Sequence, residues 1–324
     1  MALCIAGGAP LGRTNQTIVP LTHKTKPSVF HLPSLKLSGV VLRCTRCRLI
    51  TESHLVDSIF FPNQRSSCTL KKVDGGGSLD NVRIVEQLYP YLLFWSIGLL
   101  FFTAEWLYPA RPIVYRSVFW RDLLALAAYN LSFMLVVLWT DRIPVPQYMP
   151  ASLHHLPTVC KLLLFYIVED FGLYWAHRFM HTRIAWPIHR WHHAPSYLYW
   201  LAGIRATIPH IVLFNLTYVL ALPLLHDASP WAFQVIMVEH IVRNNWMHMN
   251  VSWKSNWLEW LFVTPRYHHI HHSKDPAHQG ANLGALLTIW DRLFGTYYDP
   301  NDVTNELSFG LSERVSPGRL VIGL

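Results

Sequence analysis

"TPRYHHIHHSKDP", residues 264–276, puts His268, His269, His271 and His272 into five consecutive positions. "HRWHHAP" carries the same frame earlier, with His189, His192 and His193 at i, i+3 and i+4, and His268, His271 and His272 repeat that spacing. On a helix these offsets bring side chains to one face, so each stretch aims three imidazoles at one point, as a metal ion requires. "YWAHRFMHT" adds His177 and His181 four apart, and "RNNWMHMN" sets Asn244 four before His248. Fourteen of the 19 histidines fall between 177 and 278. The nine imidazoles in these frames exceed the coordination of any single ion, so two metals are expected. Imidazole suits Zn, Cu, Fe and Ni alike, and two closed tetrahedral zinc sites would also absorb eight ligands, so counting does not separate zinc from iron. The absence of His-Glu-x-x-His disfavours a zinc protease.

The surroundings of these stretches are apolar. The chain has 324 residues, 52% of them hydrophobic and 14% charged, where an ordinary soluble domain is about 25% charged. Leu88 to Ala104 and Leu123 to Thr140 carry no formal charge, and each is about long enough to cross a hydrocarbon core. A third segment runs from Pro157 towards Trp175 with Glu169 and Asp170 inside it, a fourth from Ile208 to Leu225, and a fifth from Pro230 towards Trp246. "HDASP" (226–230) joins the last two as a hairpin. The expected fold is an all-α, multi-pass membrane bundle. The hairpin returns the histidines before and after it to one membrane face, where they form a histidine-rich di-metal cap.

The formal net charge of +8 belongs to the N-terminal stretch. Residues 1–72 hold ten of the 27 Lys/Arg and two of the 19 acids, which leaves 17 of each sign in the remainder. A neutral body argues against a nucleic-acid surface. Cys4, Cys44, Cys47 and Cys68 also lie in that stretch and only Cys160 in the body, so no cysteine metal site or disulfide framework is expected there. Residues 1–51 contain no acid, seven Lys/Arg and nine Ser/Thr. That is transit-peptide composition without a secretory apolar core, favouring plastid over mitochondrion. Residues 1–80 are read as transit peptide and flexible linker, with Gly75-Gly76-Gly77-Ser78 at its end, and residues 81–324 as the membrane domain.

The histidine stretches, with Asp170 before them and "NLGALLTIWDRLFGTYYDP" (282–300) after them, resemble the fatty-acid hydroxylase/sterol desaturase superfamily of membrane di-iron enzymes over roughly residues 85–300. The resemblance implies metal ligands at His177, His181, His189, His192, His193, His248, His268, His271 and His272, with Asn244 holding a metal-bound water. Asp170, two helical turns before His177, is expected to accept the free N–H of a ligand imidazole, and Asp291 and Arg292 are expected to form an ion pair in the closing stretch. His269 falls outside the frame and is read as a ligand's neighbour or solvated. Family members often carry His-Pro soon after the second cluster. Here "GIRATIPHIVLF" (203–214) has Thr207 near that place and a reversed Pro209-His210, which leaves His210 as either ligand or partner of one. His240 and His278 are weaker candidates, while His154, His155 and His226 fall in expected loops with no role assigned.

The resemblance further implies two Fe ions, replaceable by Zn, with O2 as co-substrate and hydroxylation or desaturation of a C–H bond in a membrane lipid such as a fatty acyl or sterol-like molecule. The chain shows no haem, flavin or iron–sulfur motif, so an external electron donor is expected: ferredoxin in a plastid membrane, or a b-type cytochrome in the endoplasmic reticulum as the alternative location. A carotenoid ring hydroxylase is the rival enzyme reading, and a non-catalytic metal-binding membrane protein the rival from another class.

Overall fold

A computed structural model describes residues 78–140 and 153–324. The transit-peptide and linker reading, and the Cys44–Cys47 pair, lie outside the described residues. All five apolar segments are helical. Ser78–Leu107 forms α1, Tyr115–Thr140 α2, Thr158–Met180 α3, Ile208–Ala221 α5 and Trp231–His248 α6. Short helices carry the rest of the cap: Trp186–His189 (α4), Asn256–Leu261 (α7), Pro265–His271 (α8), Ile289–Leu293 (α9) and Pro317–Ile322 (α10). Among the described residues there is no strand, only three isolated bridges.

Among the described residues, three stretches are long and apolar enough to cross a membrane: Leu88–Leu107, Val118–Val136 and Ile208–Leu225. Their apolar side chains face outward, with Leu99 66%, Leu100 68% and Leu124 74% exposed. That is the surface a hydrocarbon phase covers and water would not tolerate. The expectation of five such spans is met at three. Helices α3 and α6 fall short because they hold charge against each other: Arg243 of α6 reaches Glu169 of α3 at 3.1 Å and Glu239 at 3.1 Å, and His240 lies 3.2 Å from Glu169. Helix α5 packs on α2 and α3, and α6 packs on α1 and α8. Leu162, Phe165, Ala221, Leu225, Ala232 and Ile236 fill the core between α3 and the hairpin.

Glu105, which follows the first apolar run, and Asp122, which precedes the second, are anchors. Glu105 at the end of α1 is fully buried, and one of its oxygens accepts from the backbone N–H of Trp200 (2.7 Å) and of Asn250 (2.8 Å). Its other oxygen accepts from the Tyr115 hydroxyl at 3.1 Å. Asp122 of α2 accepts from the Tyr199 hydroxyl at 2.7 Å and pairs with Arg205 at 2.6 Å. Trp200 follows His193 by a short loop, and Asn250 follows His248 by two residues, so these carboxylates fix the outer helices to the histidine segments.

On the cap, α7 and α9 sit side by side, because Thr288 donates its backbone N–H to Leu261 O at 3.0 Å and its hydroxyl to Trp260 O at 2.8 Å. Trp257, Trp260, Ile289 and Leu293 are exposed along them. Exposed tryptophans beside aliphatic side chains are typical of the membrane–water interface.

Replacing Glu105 by Ala strands two buried N–H donors, at about 1–3 kcal/mol for each. Glu105→Ala should lower the thermal midpoint of the detergent-solubilised protein far more than Glu105→Gln, whose amide oxygen still accepts from both. Equal melting of the two variants would show that the anchor is not stabilising.

Candidate metal centre

Local sequence explains why each cap element forms where it does. Thr264 caps α8, its hydroxyl oxygen accepting from Tyr267 N, and Pro265 occupies the first turn, where a missing N–H costs nothing. His268 and His271 then project from one face, with His272 closing the helix. His177 sits in the last turn of α3 and His181 at its C-cap. His189 ends α4, the turn after it supplies His192 and His193, and His248 ends α6.

The nine histidines divide into two sets whose ligand atoms lie within 4.8 Å of one another: His177, His181, His189, His193 and His271, and His192, His248, His268 and His272. The sets touch, with the rings of His193 and His272 stacked 4.3 Å apart. His177 donates Nδ1–H to Leu283 O (2.7 Å), His248 to Asn244 O (2.7 Å) and His271 to Ala281 O (3.0 Å). A carbonyl can only accept, so the Nε2 atoms of these neutral rings are bare lone pairs. The bare Nε2 of His177 stands 3.1 Å from that of His189, and the Nε2 of His248 lies 3.2–3.3 Å from those of His192, His268 and His272. The Nε2 atoms of His181 and His271 are buried with no hydrogen-bond partner.

Opposed lone pairs repel, and a cation among them reverses the sign of the interaction. Nitrogens about 2.0–2.1 Å from a metal stand roughly 3.0–3.4 Å apart, which is the spacing observed. The residues therefore fit a metal in each set. Burial first, and neighbouring imidazoles second, push His181, His189, His192, His193, His268, His271 and His272 well below the ordinary imidazole value. At neutral pH the shell is uncharged and ready to donate.

Two expected contacts are corrected. Asp170 touches no imidazole: its carboxylate accepts from Leu286 N (2.8 Å), Leu287 N (3.0 Å) and Trp290 Nε1 (2.8 Å). The seven-residue offset turns it toward the closing loop, and the backbone carbonyl of Leu283 takes the role of orienting His177. Asp291 does not pair with Arg292. It accepts from Leu283 N, Gly284 N, the Tyr267 hydroxyl and Thr296 Oγ1 at 2.6–2.9 Å. Arg292 instead lies over the Tyr297 ring, 3.8 Å from its centroid. Both carboxylates shape the loop that presents Leu283 O and Ala281 O to the metal set.

The remaining histidines stand outside the two sets. His210 packs behind His189, with Nδ1 atoms 3.4 Å apart, and is a partner of that ring. Thr207 caps α5 and donates its hydroxyl to Ile188 O at 2.8 Å, tying α5 to α4. His269 is buried, not solvated: its Nδ1 accepts from Arg111 at 3.0 Å and its Nε2 faces His248 O at 3.4 Å. His240 belongs to the Glu169 cluster, and His278 packs on Tyr298. Asn244 uses its backbone carbonyl to hold His248.

Sequence reading missed Gly203, a residue the four-histidine set depends on. A Cβ there would stand 2.3 Å from His248 Nδ1, so only glycine lets the 202–204 turn pass beneath that ring. Gly203→Ala should displace His248 and empty the four-histidine set while the five-histidine set keeps its ion, halving the metal content. Unchanged metal content in Gly203→Ala would mean that the turn yields and His248 is not held by it.

The fatty acid hydroxylase family model matches residues 162–296, a stretch that contains all nine histidines. The chain is 27% identical over 154 residues to alkylglycerol monooxygenase of Xenopus tropicalis, covering 47% of this chain and 33% of the relative. It is 31% identical over 170 residues to ornithine lipid hydroxylase OlsE of Rhizobium tropici, covering 51% and 49%. It is 26% identical over 159 residues to Delta(7)-sterol 5(6)-desaturase erg31 of Schizosaccharomyces pombe, covering 44% and 46%. These matches thus span between a third and a half of the relatives' own length, and no solved structure matches. The family match over the histidine region, on an all-helical scaffold that gathers those histidines into two sets, marks residues 162–296 as a fatty acid hydroxylase domain.

Proposed function

We propose that this chain is a membrane di-iron oxidoreductase that uses O2 to hydroxylate or desaturate a C–H bond of a membrane lipid. The observation that carries the proposal is the division of nine histidines into two adjoining sets with ring nitrogens facing one another. The names of the relatives, an alkylglycerol monooxygenase, an ornithine lipid hydroxylase and a sterol desaturase, support a lipid substrate.

In this reading His177, His181, His189, His193 and His271 hold one iron, and His192, His248, His268 and His272 the other. Asn244 completes the poorer set through a water. When bound, the iron pair supplies the open positions and redox capacity for reducing O2, with two electrons per turnover coming from an external donor. The protein's own part is to hold the donors. Leu283 O, Ala281 O and Asn244 O fix three tautomers, so that Nε2 of each ring faces inward. His210 and His269 brace His189 and the backbone of His248. No thiol lies in either set to be oxidised. The outward apolar faces of α1, α2 and α5 keep the cap at the bilayer, where the substrate resides.

Purified protein washed with a chelator should retain close to two metals per chain, iron in the active form and zinc on overexpression. A single retained metal would sink the dinuclear reading. Reconstituted with a donor and NAD(P)H, the iron form should consume reductant only when O2 and lipid are both present. Uncoupling from both would favour a non-catalytic metal protein. His271→Ala should abolish turnover and lose metal, whereas His269→Gln should keep most of its metal and product formation. If His269→Gln proves as metal-poor as His271→Ala, the ligand frame is wrong.

The composition of residues 1–51 supports plastid targeting, and with it ferredoxin as donor. The alternative is a b-type cytochrome in the endoplasmic reticulum. A reporter fused to residues 1–80 should enter plastids, and an endoplasmic-reticulum pattern would replace the donor assignment.

A further inference from the structure

His154 and His226 fall in expected loops with no role assigned from sequence, and 72 positions separate them; Asp227 follows His226. The fold brings them together. The Asp227 carboxylate oxygen lies 2.8 Å from His226 Nδ1 and 3.6 Å from His154 Nδ1, and the two rings meet edge to face at 5.1 Å. The three donor atoms satisfy the same mutual distance, 4.8 Å, as the sets in the cap.

We propose that His154, His226 and Asp227 form a separate site for a zinc-type divalent cation, at the end of the bundle opposite the histidine cap. Neutral imidazole nitrogens with a carboxylate oxygen suit zinc and its transition-metal neighbours and not the oxygen-seeking Ca2+ or Mg2+. Neighbouring donors around such an ion lie roughly 3.0–3.5 Å apart, and the two contacts to Asp227 bracket that range. With both rings neutral the triad carries a single negative charge, which favours a dication.

The backbone beneath the triad is pinned in advance. Thr158 Oγ1 at the start of α3 accepts from Ser229 N at 3.1 Å, and Lys161 Nζ donates to His226 O at 2.7 Å. Lys161 itself is buried, so the hairpin tip is fastened to α3 before any ion arrives. Asp227 adopts φ 57, a left-handed conformation that L-residues other than glycine seldom take. With that backbone its carboxylate lies 2.8 Å from His226 Nδ1. His154 joins from the segment just before α3.

The two metal regions are independent. Helix α3 rises about 28 Å between Thr158 and His177, close to the thickness of a hydrocarbon core. The triad and the cap therefore face opposite ends of the bundle. Eight of the nine cap histidines are buried and His181 is half-buried, whereas all three triad residues are exposed, so a chelator strips the triad first.

The test uses the full chain in detergent, washed with chelator and then dialysed against micromolar zinc. Wild type should take up one zinc beyond its cap metals, and Co2+ in its place should give a visible ligand-field band. Asparagine tolerates the left-handed conformation, so Asp227→Asn keeps the turn and removes the charge. Asp227→Asn and His226→Gln should each lose that one zinc and the cobalt band, with cap metals unchanged. Equal uptake by wild type and both variants would overturn the site and reduce the triad to a surface ion pair. If Asp227→Asn also sheds cap metal, His154→Gln and His226→Gln decide, since each must lose one zinc and no more for the site to stand. Because cap metal is counted in the same samples, failure of the di-metal cap and failure of this site give different results.

Discussion

Lone pairs that point at one another are the constraint around which the cap is arranged. Imidazoles packed nitrogen to nitrogen repel wherever both facing nitrogens are bare, unless a cation stands between them, and they rotate unless their outer nitrogens are tied. Three are tied by carbonyls of Leu283, Ala281 and Asn244. Two of those carbonyls come from the loop between α8 and α9, which cannot hold its own shape in a buried setting without acceptors for its N–H groups. Asp170 and Asp291 supply those acceptors. The carboxylates thus act on the site at one remove: they fold the loop, and the loop turns the rings.

The same logic extends to the bundle. Glu105 and Asp122 sit on helices whose outer faces are apolar, yet each is buried against backbone or a cation from the histidine segments. A carboxylate with three donors in place is costly to unmake, because its removal leaves those donors dry. The membrane helices and the cap are therefore joined by these polar bonds together with the apolar cluster that sets Ala125 and Leu126 against Leu198, Trp200, Leu201 and Met249.

The histidine frames, the helical runs and the hairpin were legible in sequence because each is a local pattern: an offset of three or four, a charge-free length, a five-residue turn. Contacts between distant segments were not. Glu105 and Asp122 read as mere ends of apolar runs, since nothing local marks an acid as the acceptor for an amide 95 or 145 positions away. Asp170 was correctly singled out but given the wrong partner, because helical spacing shows which face a side chain occupies and not what covers that face. Gly203 carried no signal at all, its requirement arising from a ring 45 residues later. That the acids of Pro157–Trp175 face Arg243 of Pro230–Trp246 was likewise marked by nothing local.

The exposed tryptophans of α7 and the aliphatic side chains of α9 have a kinetic consequence for any lipid the cap acts upon. In the proposed lipid chemistry they would set the cap at the edge of the bilayer, so that a substrate would arrive by diffusing in two dimensions and leave without crossing water. The quantity that saturates such a protein is the mole fraction of substrate among all lipids in its membrane. Inert lipid acts as a diluent, and the same total substrate is processed at different rates in thin and abundant membrane.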